Sequence, residues 1–247
     1  MNDISTEWAE NVILADADYV DSVAFNLTVN FERMLGRRVP PADMALWAEC
    51  VAIDGGLEIL RDYENRLEGD GNLVPPHPRT PAPPKTNVVL VHEREHTAMK
   101  NFVPGNYSEE LDGKAVQSRV GELVFNAVQT EDIAPKEQLM KDLLQMICEQ
   151  PASVVGHASK HAGSVKRLMV VADDALVGAL RPILQRLDSD ERRTTLLTMQ
   201  PVQGGAFRHV LLGYSLMAAL GISSREIDEK LKKCKDYDGK DFLARHI

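Results

Sequence analysis

Short apolar runs alternate along the chain with segments of helical periodicity. Four runs are rich in β-branched residues and lack polar alternation, as in strands that are covered on both faces. They are residues 12–14, 88–91, 168–171 and 194–197. Residues 123–128 form a fifth candidate strand. The pattern therefore predicts about five buried strands.

Apolar residues recur at helical spacing after most of these runs. The predicted helical stripes cover residues 20–35, 44–51, 139–147, 176–187 and 207–218. Gly36 is a suitable stop for the first stripe, and Pro182 lies inside the fourth, where it predicts a late start or a kink. Ser223 and Glu226 form a capping box that predicts one more helix.

This alternation predicts an α/β fold with a mostly parallel, doubly wound sheet of about five strands flanked by helices. We expect residues 1–247 to form a single domain. Residues 68–85 hold six of the thirteen prolines and predict a surface loop. A charged C-terminal tail is expected from about residue 232.

Composition and charge argue against nucleic acid and membranes as partners. The formal net charge of −9 gives no long-range attraction to nucleic-acid phosphates. No apolar run is long enough to span a membrane, and residues 1–7 lack the features of a secretory signal. Three widely spaced cysteines do not suggest a disulfide framework. We therefore expect a cytoplasmic protein with no membrane partner, and homo-oligomerisation is a reasonable default.

Carboxylates follow two of the predicted strands. Asp16 and Asp18 follow the first, and Asp173 and Asp174 follow the strand at 168–171. If these strands are neighbours, the carboxylates meet at one sheet edge and would bind Mg²⁺ or Mn²⁺, because such a cluster cannot stay ionised without a cation. Glu131 and Asp132 would join them. The alternative is that these residues are helix N-caps and solvated carboxylates.

Residues 13–18 and 170–174 together resemble the strand ends of PIN and NYN-type nucleases, where acidic residues hold the catalytic metals. The resemblance implies divalent-metal-dependent phosphodiester cleavage. Asp16, Asp18, Asp173 and Asp174 would hold the metal, and Arg208 would contact phosphate.

Two histidine pairs have the i, i+4 spacing of zinc ligands. His92-Glu93-Arg94-Glu95-His96 matches H-E-x-x-H, which binds zinc when it lies on a helix. Here the motif follows a predicted strand, and a continuing strand would rule out the zinc hydrolase that it suggests. His157 and His161 lie in a glycine-flanked segment that predicts a loop, which favours an exposed insertion over a metal site.

The segment at 203–209 contains Gly204, Gly205 and Arg208 and precedes a predicted helix. Backbone N–H groups at a helix N-terminus favour anions, so a small anionic ligand is one interpretation. A tight turn is the other, since glycine relieves strand-to-helix geometry.

Residues 15–35 and 44–52, together with 199–208 and 212–216, resemble an uncharacterised bacterial family found mainly in Bacteroidetes. The resemblance implies no activity. The sequence therefore leaves the molecular function unknown and favours a ligand-binding or interaction protein. The alternatives are a metal-dependent phosphodiesterase and, less favoured, a zinc hydrolase at His92 and His96. Whether the protein is an enzyme stays open.

Overall fold

The computed structural model describes residues 8–60, 83–93, 111–130, 136–149, 165–189, 192–200 and 207–232. Within these residues the chain forms seven strands and six helices. The strands are β1 (Asn11–Asp16), β2 (Lys85–His92), β3 (Ala115–Ser118), β4 (Gly121–Gln129), β5 (Arg167–Val171), β6 (Arg193–Thr198) and β7 (Arg208–Leu211). The helices are α1 (Ala17–Leu35), α2 (Met44–Asp54), α3 (Lys136–Glu149), α4 (Asp174–Leu187), α5 (Leu212–Ala219) and α6 (Ser224–Leu231).

The strands form one sheet in the order β3-β4-β2-β1-β5-β6-β7. Every neighbouring pair is parallel except β3 and β4, which form an antiparallel pair at one edge. The predicted α/β fold with a mostly parallel sheet is therefore confirmed. β1 lies in the middle, with β2 on one side and β5 on the other.

Side chains of the central strands alternate between two hydrophobic clusters. Ile13 and Ala15 of β1 pack in a cluster with residues of α1, α2, α5 and α6. Val12 and Leu14 pack in a second cluster with residues of α3 and α4. All six residues of β1 are buried. This double burial explains why the central strands are continuous apolar runs rather than alternating ones.

All five predicted strands lie inside observed strands, but the sheet has seven strands rather than about five. The two additional ones, β3 and β7, are four residues long and lie at the sheet edges. Three of the four β3 residues and all four β7 residues are exposed or only partly buried. Such edge strands lack the continuous apolar run on which the prediction relied.

The helix over 207–218 was predicted wrongly at its start. Residues 208–211 form β7 and pair with β6, and α5 begins only at Leu212. Phe207 and Leu211 fit helical spacing with the residues that follow, but the open edge of β6 supplies backbone hydrogen bonds to this segment instead. Tertiary pairing therefore outweighs local periodicity here.

The other helices follow their predicted stripes. Gly36 closes α1 in the left-handed conformation with φ 69°, which glycine adopts without a steric penalty. Pro182 lies within α4, which starts at Asp174 and so does not start late. Ser223 caps α6 by accepting a hydrogen bond from the Glu226 N–H, as the capping box predicted.

Most of the predicted proline-rich loop lies outside the described residues, as does the tail from residue 233 onward. Lys85, its last predicted residue, begins β2. In the described part of the chain, no helix is long and apolar enough to cross a membrane.

Candidate functional site

The candidate site lies where β1, β2, β5 and β6 end. Asp16 is the last residue of β1, and Asp18 and Tyr19 lie in the first turn of α1. Asp173 and Asp174 follow β5, which is hydrogen-bonded to β1. The structure therefore brings the two predicted carboxylate pairs to adjacent strand ends, which is where parallel sheets bind ligands.

Two of the four carboxylates cap helices. Asp16 Oδ1 accepts a hydrogen bond from the Tyr19 N–H at 3.2 Å, and Asp173 Oδ1 accepts one from the Leu176 N–H at 2.7 Å. Asp16 is buried, whereas Asp173 and Asp174 are exposed. Local capping is thus one reason why aspartate follows both strands, as the alternative interpretation of the sequence held.

Lys136, the first residue of α3, contacts the other side of the site. Its Nζ lies 2.9 Å from Asp16 Oδ1 and 3.0 Å from Asp18 Oδ2. Glu93 Oε1 lies 3.6 Å from the same nitrogen. The lysine side chain is only 19% exposed, and that of Asp16 is 5% exposed. Three carboxylates from α1, β1 and the segment after β2 therefore share one ammonium group.

Burial and these contacts act oppositely on the two partners. Burial raises the pKa of Asp16 above its usual value, although Lys136 opposes the shift. Burial alone would lower the pKa of Lys136, but Asp16 and Asp18 outweigh it and raise that pKa. Lys136 therefore remains protonated at every physiological pH.

Tyr19 lies between the two carboxylate pairs. Its phenolic oxygen accepts a hydrogen bond from the Met199 N–H at 3.0 Å, which ties α1 to the segment after β6. Burial, reinforced by the charges of Asp174, Asp173 and Asp16, raises the pKa of Tyr19 to about 12. Among the described residues, no acceptor takes the O–H hydrogen of Tyr19. This phenol is thus a neutral donor at the centre of the site.

His209 of β7 lies next to Thr198 at the end of β6 and is close enough to Asp174 to feel its charge. Its Nε2 lies 2.7 Å from Oγ1 of Thr198, which also contacts the Gln200 carbonyl oxygen. Because the Thr198 hydroxyl donates to that carbonyl, Nε2 must be the donor in the histidine contact. Burial lowers the pKa of His209, with Asp174 and the Gln200 backbone opposing, which favours the neutral imidazole.

The zinc motif is only partly within the described residues. His92 is the last residue of β2 rather than part of a helix, and His96 lies outside the described residues. A strand does not present i and i+4 on one helical face, so the geometry required of His92 is missing. Glu93 instead donates its backbone N–H to Asp18 Oδ2 at 3.1 Å.

Only one of the three residues of the predicted anion site lies within the described residues. Gly204 and Gly205 lie outside the described residues, and Arg208 begins β7. The Arg208 side chain lies beside Gly56 after α2, and its charge opposes the burial that raises the pKa of Asp54. Arg208 pairs with Thr195 near the start of β6 and not with the end of that strand. Arg208 is therefore separate from the strand ends that carry Asp16, Asp18, Asp173 and Asp174, which we call the acidic edge.

Within the described ranges, no group of three or more His, Cys, Asp or Glu side chains is arranged to hold a metal ion. Glu131, Asp132, His157 and His161 lie outside those ranges. For Asp16 and Asp18, the ammonium of Lys136 occupies the position that faces both carboxylates.

Sequence reasoning missed Lys136 and Tyr19, and it considered His209 only as part of the anion-binding segment at 203–209. The chain did contain a signal for the lysine. A cation in the first turn of a helix interacts unfavourably with the helix dipole. Because Lys136 starts α3, a nearby carboxylate that offsets this interaction is expected. No comparable signal marked Tyr19 or His209, since their positions depend on the strand order.

A groove in the surface lies away from these residues. This groove of about 380 Å³ runs beside α1 and the segment at 38–41 and is lined by residues that include Phe25, Val29 and Pro40. These α1 residues are remote from its N-terminal end, where Asp18 and Tyr19 lie. The groove is therefore distinct from the candidate site.

Comparison with known proteins agrees with the predicted membership of an uncharacterised family. No curated protein and no solved structure matches the chain. One family model matches residues 5–227, which is most of the 247 residues. The chain belongs to this family, which is described as a family of unknown function (DUF6621).

Proposed function

We propose that this protein binds a small ligand at the carboxyl ends of β1, β5 and β6 and that its fold is doubly wound. In doubly wound sheets, ligands bind where the strand order reverses, because the connections on either side diverge there. The order of strands around β1 supports this placement. The division of the helices between two core clusters supports the doubly wound arrangement.

Tyr19 is the observation that carries the proposal. Its phenol lies at the reversal point, accepts a hydrogen bond from the Met199 N–H and has no acceptor for its own O–H within the described part of the chain. Asp174 beside it is exposed and has no lysine partner among the described residues. A ligand that fits carries an acceptor for the phenol and a positive charge for Asp174. We therefore propose a small organic cation with an oxygen acceptor, such as an amino alcohol or an amino acid amide.

Thermal unfolding of chelator-treated protein with a panel of such amines tests the proposal. A ligand at one hundred times its dissociation constant stabilises the folded state by about 2.7 kcal/mol. We expect a saturable rise in Tm that is lost in Tyr19→Phe and in Asp174→Asn. Asp228→Asn is the matched control, because Asp228 is exposed on α6, away from the site. If no amine raises Tm, or if the control loses the response equally, the proposal is rejected.

The second candidate is divalent-metal-dependent phosphodiester hydrolysis. It is favoured by the adjacency of β1 and β5, which places Asp16, Asp18, Asp173 and Asp174 at one edge. Mg²⁺ or Mn²⁺ held there would activate water for attack on phosphorus. The phosphate contact expected of Arg208 would have to come from another residue in this candidate, because Arg208 lies away from these four carboxylates.

Hydrolysis of a chromogenic phosphodiester separates the two candidates. Turnover that requires Mn²⁺ and disappears in Asp16→Asn would establish the phosphodiesterase. Absence of turnover, together with an amine-dependent rise in Tm, would support the ligand-binding function.

We also propose a cytoplasmic location and a homo-oligomeric state. The three widely spaced cysteines support the cytoplasmic location.

A further inference from the structure

The ammonium group of Lys136 has an unusual set of neighbours. Oxygens of Asp16, Asp18 and Glu93 lie 2.9, 3.0 and 3.6 Å from its Nζ. Asp16 and Asp18 are two residues apart in the chain, and the pairing of β1 with β2 brings Glu93 to them. The arrangement resembles the oxygen shell of a bound cation, with a nitrogen at its centre.

The position of Lys136 in its helix makes this contact more informative. A positive charge in the first helical turn is opposed by the helix dipole. Its burial adds a desolvation cost. Both costs are offset by the carboxylates, two of which are themselves largely buried. The carboxylates in turn depend on the ammonium, because like charges this close cannot all stay ionised.

We infer that Lys136 is the resident counter-ion of Asp16 and Asp18 and takes the place that a divalent cation would occupy between them. This half of the acidic edge is therefore metal-independent in the native protein. Any ligand of the site is then bound at Tyr19 and not by Asp16 and Asp18. The inference does not rest on the proposed amine ligand, and it opposes the metal-dependent second candidate.

Replacing the ammonium tests the inference directly. Lys136→Met removes the ammonium that the three carboxylates share, and hard divalent ions prefer such oxygen ligands. Calorimetric titration with Mn²⁺ at 150 mM salt should show one saturable site in Lys136→Met, at least tenfold tighter than any site in the native protein. Lys141→Met is the control, since Lys141 lies on the same helix but pairs with the exposed Glu137. It should behave like the native protein.

Adding Asp16→Asn to Lys136→Met should abolish the new site. If Lys136→Met is unfolded without metal, refolding by Mn²⁺ but not by sodium at equal ionic strength supports the inference. A variant that stays unfolded with Mn²⁺, or that folds and binds none, overturns it. Saturable Mn²⁺ binding by the native protein that is lost in Asp16→Asn also overturns it.

Discussion

Single residues at the strand ends show how burial changes ordinary chemistry. Asp16 and Lys136 are both removed from water, yet burial raises the pKa of the acid, and the neighbouring carboxylates raise that of the base. Asp16 also caps α1, so one side chain satisfies a helix terminus and an ammonium group. Tyr19 is neutral for a related reason, since burial and three nearby carboxylates disfavour its anion.

The titration of Tyr19 gives a prediction at this scale. The pKa of Tyr19 is raised to about 12, so the folded state retains the phenolic proton when the unfolded state has lost it above pH 10. Stability contributed by this group is therefore present below pH 10 and is lost as the pH rises toward 12. Difference ultraviolet titration of native protein and Tyr19→Phe should place this ionisation near pH 12. Ionisation near pH 10 in the folded protein would contradict the buried, carboxylate-flanked phenol.

Thr194 gives a second prediction. It is buried in β6, and its hydroxyl has no hydrogen-bond partner among the described residues. Valine has nearly the same shape, avoids the unpaired buried hydroxyl and favours strands. We expect Thr194→Val to increase the free energy of unfolding by about 1 kcal/mol, measured by urea denaturation. Thr86→Val provides a comparison at another buried strand threonine. A loss of stability specific to Thr194→Val would mean that its hydroxyl has a partner.

Packing between elements depends on the close approach of α2 and β5. Gly55, which follows α2, lies against the Met169 side chain of β5. A Cβ atom placed on Gly55 would lie 2.3 Å from Met169 Sδ and 2.5 Å from its Cγ. Glycine is needed here for space, because the backbone φ of −71° is accessible to any residue.

Gly55→Ala should therefore destabilise the protein. Overpacking of this kind costs about 1–3 kcal/mol, and thermal or urea denaturation would measure it. Gly178→Ala is the matched control, because a Cβ there meets nothing within 4 Å and Gly178 lies within α4. That control should gain about 0.5–1 kcal/mol from helix propensity. Equal effects of the two substitutions would show that contact with Met169 is unimportant.

The whole molecule is organised around β1. This strand is buried over its full length and is flanked by parallel partners on both sides. Burial decreases outward, and β3 and β7 at the edges are largely exposed or only partly buried. Opening of the structure should follow the same gradient, because edge strands are held by hydrogen bonds on one side only.

Hydrogen exchange would measure this gradient. We expect amides of β1 and β5 to exchange most slowly, near the rate set by global unfolding, and those of β3 and β7 to exchange by local opening. Protection of β7 equal to that of β1 would indicate that another segment or a second copy covers the edge. That result would also bear on the proposed homo-oligomer, since protection by a second copy depends on protein concentration.

The sequence by itself determined the strands with continuous apolar runs and the helices with strong periodicity and caps. It placed Asp16 and Asp173 at strand ends, because these features depend on neighbours within a few residues. Tertiary structure alone decided that β1 lies beside β5, that residues 208–211 join the sheet, and that Lys136 reaches Asp16 and Asp18. These outcomes join segments more than a hundred residues apart or use an open sheet edge. Local periodicity carries no information about such pairings, so only packing of the whole chain could settle them.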